Sequence, residues 1–399
     1  MSNPTDVPVF FAPGQTDTNQ YDRQALTYLV RECHSSVEHT LQLLESKSFE
    51  FHTTQTLHRD AIDVELIYRQ CIPAACIATR YYLPIEEVAD YLTLFTSCQT
   101  LILNHIDRHL DLSASYTIRD PQHLLADVRS VTCYAVASLY EGMTFARKGP
   151  GPAAAVSHMA DVSSKIIQSM HHNYATRFDS AYLKQPEKLT ELYRDETLSR
   201  HLGSGFYSSS VLGLNAYFDL PQPSNLPDIL RDMRRLRQRV DELSDELSDL
   251  FEDTVTGLLT YPVAKLLISP EYHESAAKTI LAIWEESEKI VAQHRGRPDH
   301  ANKAMRTSGH LSKSFRDLMD LSIDAGVLEE CRIEAHKLWC RIRGELQGLD
   351  SAIADPLAIV VDLKRAFLER LSEAAWNDDP PSHTFADIRR QVLEGRGPN

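Results

Sequence analysis

Apolar residues recur at intervals of three and four along most of this chain, and no stretch sustains the two-residue alternation of a strand. The stretches 85–111 (IEEVADYLTLFTSCQTLILNHIDRHLD) and 122–147 show the pattern plainly. Such spacing gives each helix an apolar stripe that must be buried against other helices. Breakers rich in proline, glycine and small polar residues separate the stretches: APGQTDTN near the start, DLSASYTIRDPQ at 111–122, KGPGP at 148–152 and DLPQPSNLPD at 219–228. Further breaks are predicted at SPEYHE (269–274), GRPDH (296–300), DAGV (324–327) and ADP (354–356). The pattern predicts roughly a dozen helices and no sheet. With 399 residues, 43% of them hydrophobic, the chain can bury a large core. It has no fixed-period repeat and no flexible linker. It therefore reads as one all-α domain over 19–375, between an extension at 1–18 and a tail at 376–399 rich in proline and charge.

The net charge of −15 argues against non-specific binding to nucleic acid or to an anionic membrane, because both need a basic face. Seven cysteines, an odd number without short paired spacings, suggest neither a disulfide framework nor a zinc site and read as buried thiols. The N-terminus lacks the basic start and long apolar run of a leader, and no run of about eighteen apolar residues occurs. These features together predict a cytoplasmic protein with no integral membrane segment.

Two acidic stretches stand out. In 238-QRVDELSDELSDLFEDTVTGLLTYP-262, seven acids fall within the thirteen residues from Asp241 to Asp253. Asp241, Asp245, Asp249 and Asp253 are spaced by four, so on a helix they form one row, a turn apart. Neighbouring like charges cost a few tenths of a kcal/mol per exposed pair, a cost that bound cations would reverse. In 104-NHIDRHLD-111, Asp107 and Asp111 are again four apart, at the end of an apolar helix. Carboxylates from two such helices suit Mg²⁺, which takes a few carboxylate oxygens and fills its other positions with water and substrate phosphate. Each stretch alone also fits a solvated helix face.

Taken together, the two acidic motifs, followed by Gly257 and Thr260-Tyr261-Pro262, resemble the class I isoprenoid synthase superfamily, which holds trans-prenyl diphosphate synthases and class I terpene cyclases. The resemblance covers about residues 20–350 and implies a single large helical bundle. In that family a D-D-x-x-D motif faces a second acidic motif, and three Mg²⁺ ions between them hold the substrate diphosphate. Asp107 and Asp111 match the first and last aspartates of the first motif, and Arg108 stands where the second should be. The second motif fits two registers. Asp241, Asp245 and Asp249 have the one-five-nine spacing of the cyclase triad, with Asp at its usual middle Ser or Thr. Alternatively Asp245 to Asp249, with Glu252, Asp253 and the following turn, looks like the second motif of prenyl synthases. The cyclase-like register is preferred, because Gln238 resembles the family's lead-in.

The resemblance implies a metal set of Asp107, Asp111, Asp241, Asp245 and Asp249, and an allylic prenyl diphosphate that ionises and cyclises. Arg200, in 194-RDETLSRHLGSG-205, resembles the diphosphate-sensing arginine of bacterial cyclases, with Arg194 as the alternative and Gly203 or Ser204 near the helix break used there. Phe95, Thr100 and Leu103, with Phe206, Tyr207 and Tyr217, are candidates for a pocket that shields a carbocation. Chain elongation would need a Gly-Lys-x-x-Arg-Pro-like motif. The nearest stretch, 66-LIYRQCIP-73, keeps Arg69 and Pro73 but lacks the Gly-Lys. Head-to-head condensation and a non-catalytic helical shell are the other readings, and a homodimer is compatible with all of them. A metal site on His105 and His109 is disfavoured, since His105 and Asp107 stand about 200° apart around a helix.

Overall fold

The computed structural model describes residues 18–47, 64–96, 142–194, 206–244, 253–294 and 297–373. Among the described residues there are helices and their connections, and no strand. The protein is all-α. No helix among them is long and apolar enough to cross a membrane.

Helix α1 (Thr18–Lys47) buries Leu29, Val30, Cys33, Val37, Leu41 and Leu44 along one stripe. Helix α2 (Val64–Arg80) buries every residue from Cys71 to Ala78, as a helix does when it is enclosed on all sides. Pro73 sits inside it and removes one backbone donor from the helical ladder. The helix closes with Leu83 N–H donating to the Ala78 carbonyl over 3.0 Å, and Tyr82 holds the left-handed position at φ 53°. Helix α3 (Ile85–Phe95) returns antiparallel to α2, and the Cys71 Sγ and Thr96 Oγ1 atoms meet at 3.6 Å.

Helix α4 (Pro150–Thr176) packs along α7 (Phe206–Phe218). The fit is close at Gly151, where a Cβ would collide with the Tyr217 carbonyl oxygen. Between them run the short α5 (Ala181–Lys184) and α6 (Pro186–Arg194). Helix α8 (Leu226–Ser244) is strongly amphipathic and buries Leu226, Ile229, Leu230, Met233, Leu236 and Val240.

The remaining helices are α9 (Tyr261–Ile268), α10 (His273–Gln293), α11 (Pro298–Thr307), α12 (Gly309–Asp324), α13 (Val327–Leu346) and α14 (Ser351–Glu373). Two apolar clusters result. One gathers α1–α4, α7, α8 and α14, and the other gathers α5, α6 and α9–α12. Helix α13 serves both, with Val327 and Cys331 in the second cluster and Ala335, Ile342 and Leu346 in the first.

Two sequence expectations are corrected. ADP (354–356) does not break a helix: Pro356 lies buried inside α14, and the chain turns earlier, where the Asp350 carboxylate accepts from the Ala352 N–H at 2.8 Å and starts the helix. The thiols of Cys33, Cys71, Cys76 and Cys331 are buried as expected, whereas Cys340 is exposed on α13. Burial pushes the Cys71 thiol up to about 12.

Candidate functional site

Asp107, Asp111, Thr100, Leu103, Arg200, Gly203, Ser204, Asp245 and Asp249 lie outside the described residues, as do His105 and His109. Arg194 ends α6, Phe206 and Tyr207 begin α7, and Asp241 belongs to the last turn of α8. Phe95 ends α3 and is fully buried. Tyr217 is half-buried, its ring 5.1 Å from that of Phe145 and 5.9 Å from that of Tyr91.

Contacts along the bundle fix which helix ends share a side. Arg80, at the C-terminal end of α2, bonds Glu32 of α1 at 2.6 Å and Asp355 of α14 at 2.9 Å. That end of the bundle therefore holds the start of α3 and the start of α14. Helix α13 leads into α14 and runs antiparallel to α8, since Arg341 pairs with Asp232 at 2.5 Å while Glu334 lies near the end of α8. The start of α8 thus shares the Arg80 end, and its C-terminal end lies at the opposite one. Helix α3 also points that way. Tyr91 Oη donates to the Ser210 carbonyl at 2.7 Å, and Tyr217 lies near Glu87 and Asp90, so α7 begins at that same end. The C-terminal end of α3, the start of α7 and the Asp241 turn of α8 therefore lie at the same end of the bundle.

The acidic stretch is followed by a segment whose burial the sequence concealed. All residues from Asp253 to Thr260 are buried although only 253–255 are helical. Irregular backbone at that depth needs partners for its carbonyls. Trp284 Nε1 donates to Thr254 O at 3.0 Å, Ser287 Oγ to Val255 O at 3.0 Å, and Tyr193 Oη to Leu259 O at 2.6 Å. Gly257 supplies the turn with φ 89°, and Phe178 N–H donates to its carbonyl at 3.0 Å. Asp253 is only 4% exposed, so it is no surplus surface charge, as a solvated acidic row would make it.

Where the chain leaves this segment, the Arg239 guanidinium lies 3.3 Å from the centroid of the Tyr261 ring. Tyr261 Oη donates to Glu334 Oε2 at 3.0 Å, and Lys265 Nζ reaches Glu334 Oε1 at 2.7 Å and Glu330 at 3.0 Å. Burial raises the Tyr261 hydroxyl to about 12, with Arg239 opposing and Glu334 reinforcing the rise. Burial alone would raise the Glu334 carboxyl, but the Lys265 and Tyr261 contacts outweigh it and hold the group below its ordinary range. Lys265 is raised above the ordinary lysine range, because its bonds to Glu334 and Glu330 overcome the opposing effect of burial.

Sequence spacing missed Arg239, Tyr193, Trp284, Ser287 and Glu334, because their partners lie far along the chain. Only Tyr261 carried a signal, through the Thr-Tyr-Pro start of α9, where Thr260 is extended and Pro262 occupies the first turn. The carboxylates at the two ends of the acidic segment, Asp241 and Asp253, are hard oxygen donors of the class that Mg²⁺ takes, so the donor chemistry fits that ion. Among the described residues, no group of three or more His, Cys, Asp or Glu side chains is gathered as a metal centre. No protein-family model matches the chain, and no curated protein matches it.

Proposed function

We propose that the protein is a cytoplasmic class I terpene synthase that ionises an allylic prenyl diphosphate and releases diphosphate and a terpene. The observation that carries this reading is that the C-terminal end of α3 and the Asp241 turn of α8 lie at the same end of the bundle, where α7 begins. Two acidic motifs on separate segments of the chain are what a diphosphate bound through divalent cations requires.

Asp107, Asp111, Asp241, Asp245 and Asp249 would hold Mg²⁺, which when bound offsets negative charge on the departing diphosphate. Arg200, or Arg194 in its place, adds a fixed positive charge to the same task. Phe95, Leu103, Phe206 and Tyr207 would wall an apolar space from which water is excluded. No protein nucleophile is needed.

A second reading, chain elongation by a trans-prenyl diphosphate synthase, is favoured by one observation: Asp253 is buried and leads directly into the Gly257 turn and the Thr-Tyr-Pro start of α9. The decisive assay incubates the chain with geranyl, farnesyl or geranylgeranyl diphosphate, with and without Mg²⁺ and isopentenyl diphosphate. Magnesium-dependent diphosphate release with products of the substrate's own carbon number supports the cyclase. A longer prenyl diphosphate as main product establishes the synthase, and no release with any substrate rejects both.

A further inference from the structure

Helix α13 has two stripes. Cys331, Ala335, Ile342 and Leu346 are buried against the bundle. At about 100° per residue, Ile333, His336, Cys340 and Gly344 form a second stripe on the opposite side, and all four are exposed. A solvated helix face ordinarily carries charge. These four positions carry an isoleucine that is 41% exposed, two side chains able to ligate a metal, and a glycine.

The two ligating groups already have the spacing of a chelate. Cys340 Sγ and His336 Nε2 stand 3.6 Å apart. A tetrahedral zinc ion with ordinary bonds to sulfur and nitrogen separates those two atoms by about 3.5–3.6 Å, so it can bind without moving either side chain far. The His336 ring is held by stacking on Trp339, with centroids 5.6 Å apart and 25° between planes. Trp339 is fixed in turn, its Nε1 donating to Asp362 of α14 at 3.1 Å. Thiolate with imidazole suits zinc and not the hard Mg²⁺ or Ca²⁺ ions.

A closed zinc site has four ligands, whereas α13 offers two here, and no group of three is gathered among the described residues. Gly344, one turn beyond Cys340, shows where the other two can come from. Glycine weakens a helix relative to alanine, yet a Cβ at Gly344 would meet nothing within 4 Å. No described neighbour needs that side chain to be missing, and the gap suits a helix arriving from outside. In two copies of α13 crossing antiparallel about a two-fold axis at Cys340, each His336 stands opposite the other copy's Gly344, because the two residues lie four positions to either side of Cys340. Ile333, seven residues before Cys340, adds apolar area beside that contact.

We propose that His336 and Cys340 are half of a Cys₂His₂ zinc site that a second copy of this chain completes. Each thiol gives its proton to solvent as its sulfur binds the ion.

The test uses the full chain, stripped with a chelator and kept reduced with a phosphine, and follows sedimentation velocity as zinc chloride is added. Zinc should double the sedimenting mass, saturating at about half an equivalent per chain, and should protect Cys340 from alkylation. Cobalt(II) in place of zinc should give the strong visible absorption of a tetrahedral site and a thiolate charge-transfer band. Cys340→Ser and His336→Ala should each abolish the doubling, and Gly344→Gln should weaken it. All three substitutions lie on an exposed face, and near-ultraviolet circular dichroism establishes that each variant is folded. Wild-type mass unchanged by zinc, doubling undiminished in any of the three variants, or one cobalt held per monomer overturns the shared site.

Discussion

The Phe178 N–H donates to the Gly257 carbonyl at 3.0 Å, and both residues hold left-handed backbone, at φ 57° and 89°. A bulky residue at positive φ is an outlier that its surroundings must enforce. Here the enforcing contact is Gly257 itself. A Cβ on it would stand 2.6 Å from Cγ of the Phe178 ring and 2.7 Å from the Phe178 nitrogen. Gly257→Ala is expected to cost about 2–4 kcal/mol, seen as a lower melting temperature. In a Phe178→Ala background the same substitution should cost less, since the ring it would strike is gone.

Asp241 and Asp253 separate the two registers of the second acidic motif. Under the cyclase-like register Asp241→Asn lowers turnover on the order of 10²-fold with little change in melting temperature. Asp253 is buried, so Asp253→Asn is expected to lower the melting temperature in either register. Turnover intact in Asp241→Asn but lost in folded Asp253→Asn would select the synthase-like register.

In the proposed metal set, Asp111→Asn removes a ligand charge while keeping the shape of the side chain. It should abolish turnover in a protein that still melts cooperatively. Full activity would remove Asp107 and Asp111 from the metal set.

The Glu334–Lys265 pair makes stability depend on pH at both ends. Glu334 titrates lower in the folded chain than in the unfolded one, so its contribution is present above about pH 4.3 and fades as pH falls through the folded value. Lys265 titrates higher when folded, so its contribution is present below about pH 10.4 and fades as pH rises through the folded value. The difference in melting temperature between wild type and Glu334→Gln should therefore be greatest near neutrality and shrink toward acid. A difference of the same size at pH about 3 would show that the ionised pair contributes nothing.

Among the described thiols, Cys340 is exposed while Cys33, Cys71, Cys76 and Cys331 are buried. Brief alkylation of the native chain followed by peptide mapping should mark Cys340 and leave those four unmodified until denaturant is added.

Where the helices break was largely legible in the sequence. The stretches 148–152, 219–228, 269–274, 296–300 and 324–327 each fall at a helix boundary, and Gly326 uses the φ of 68° that its lack of a side chain permits. Pro356 misled because a proline shows its missing donor in the sequence and not the packing that accommodates it. Its ring is buried, and the actual start of α14 lay in Asp350. In the acidic stretch, four-residue spacing revealed a row but not depth: Asp253 is buried by a segment whose carbonyls are satisfied from α6 and α10. The Arg239–Tyr261 stack left no trace in local spacing, because a contact closed over twenty-two residues belongs to no helical period.

The Arg80 junction has a consequence for how the chain is made. Its guanidinium is shared between Glu32 and a partner 275 residues downstream, Asp355, together with the Ser351 carbonyl. At ribosomal speeds of about 5–20 residues per second, Asp355 follows Arg80 by roughly 14–55 s. Throughout that interval the first helices to emerge have apolar stripes whose covering helix, α14, does not yet exist. Nascent chains stalled before residue 350 are thus the species in which α1 and α2 would be most open to proteases and to chaperones, a vulnerability that ends once the last helix is delivered.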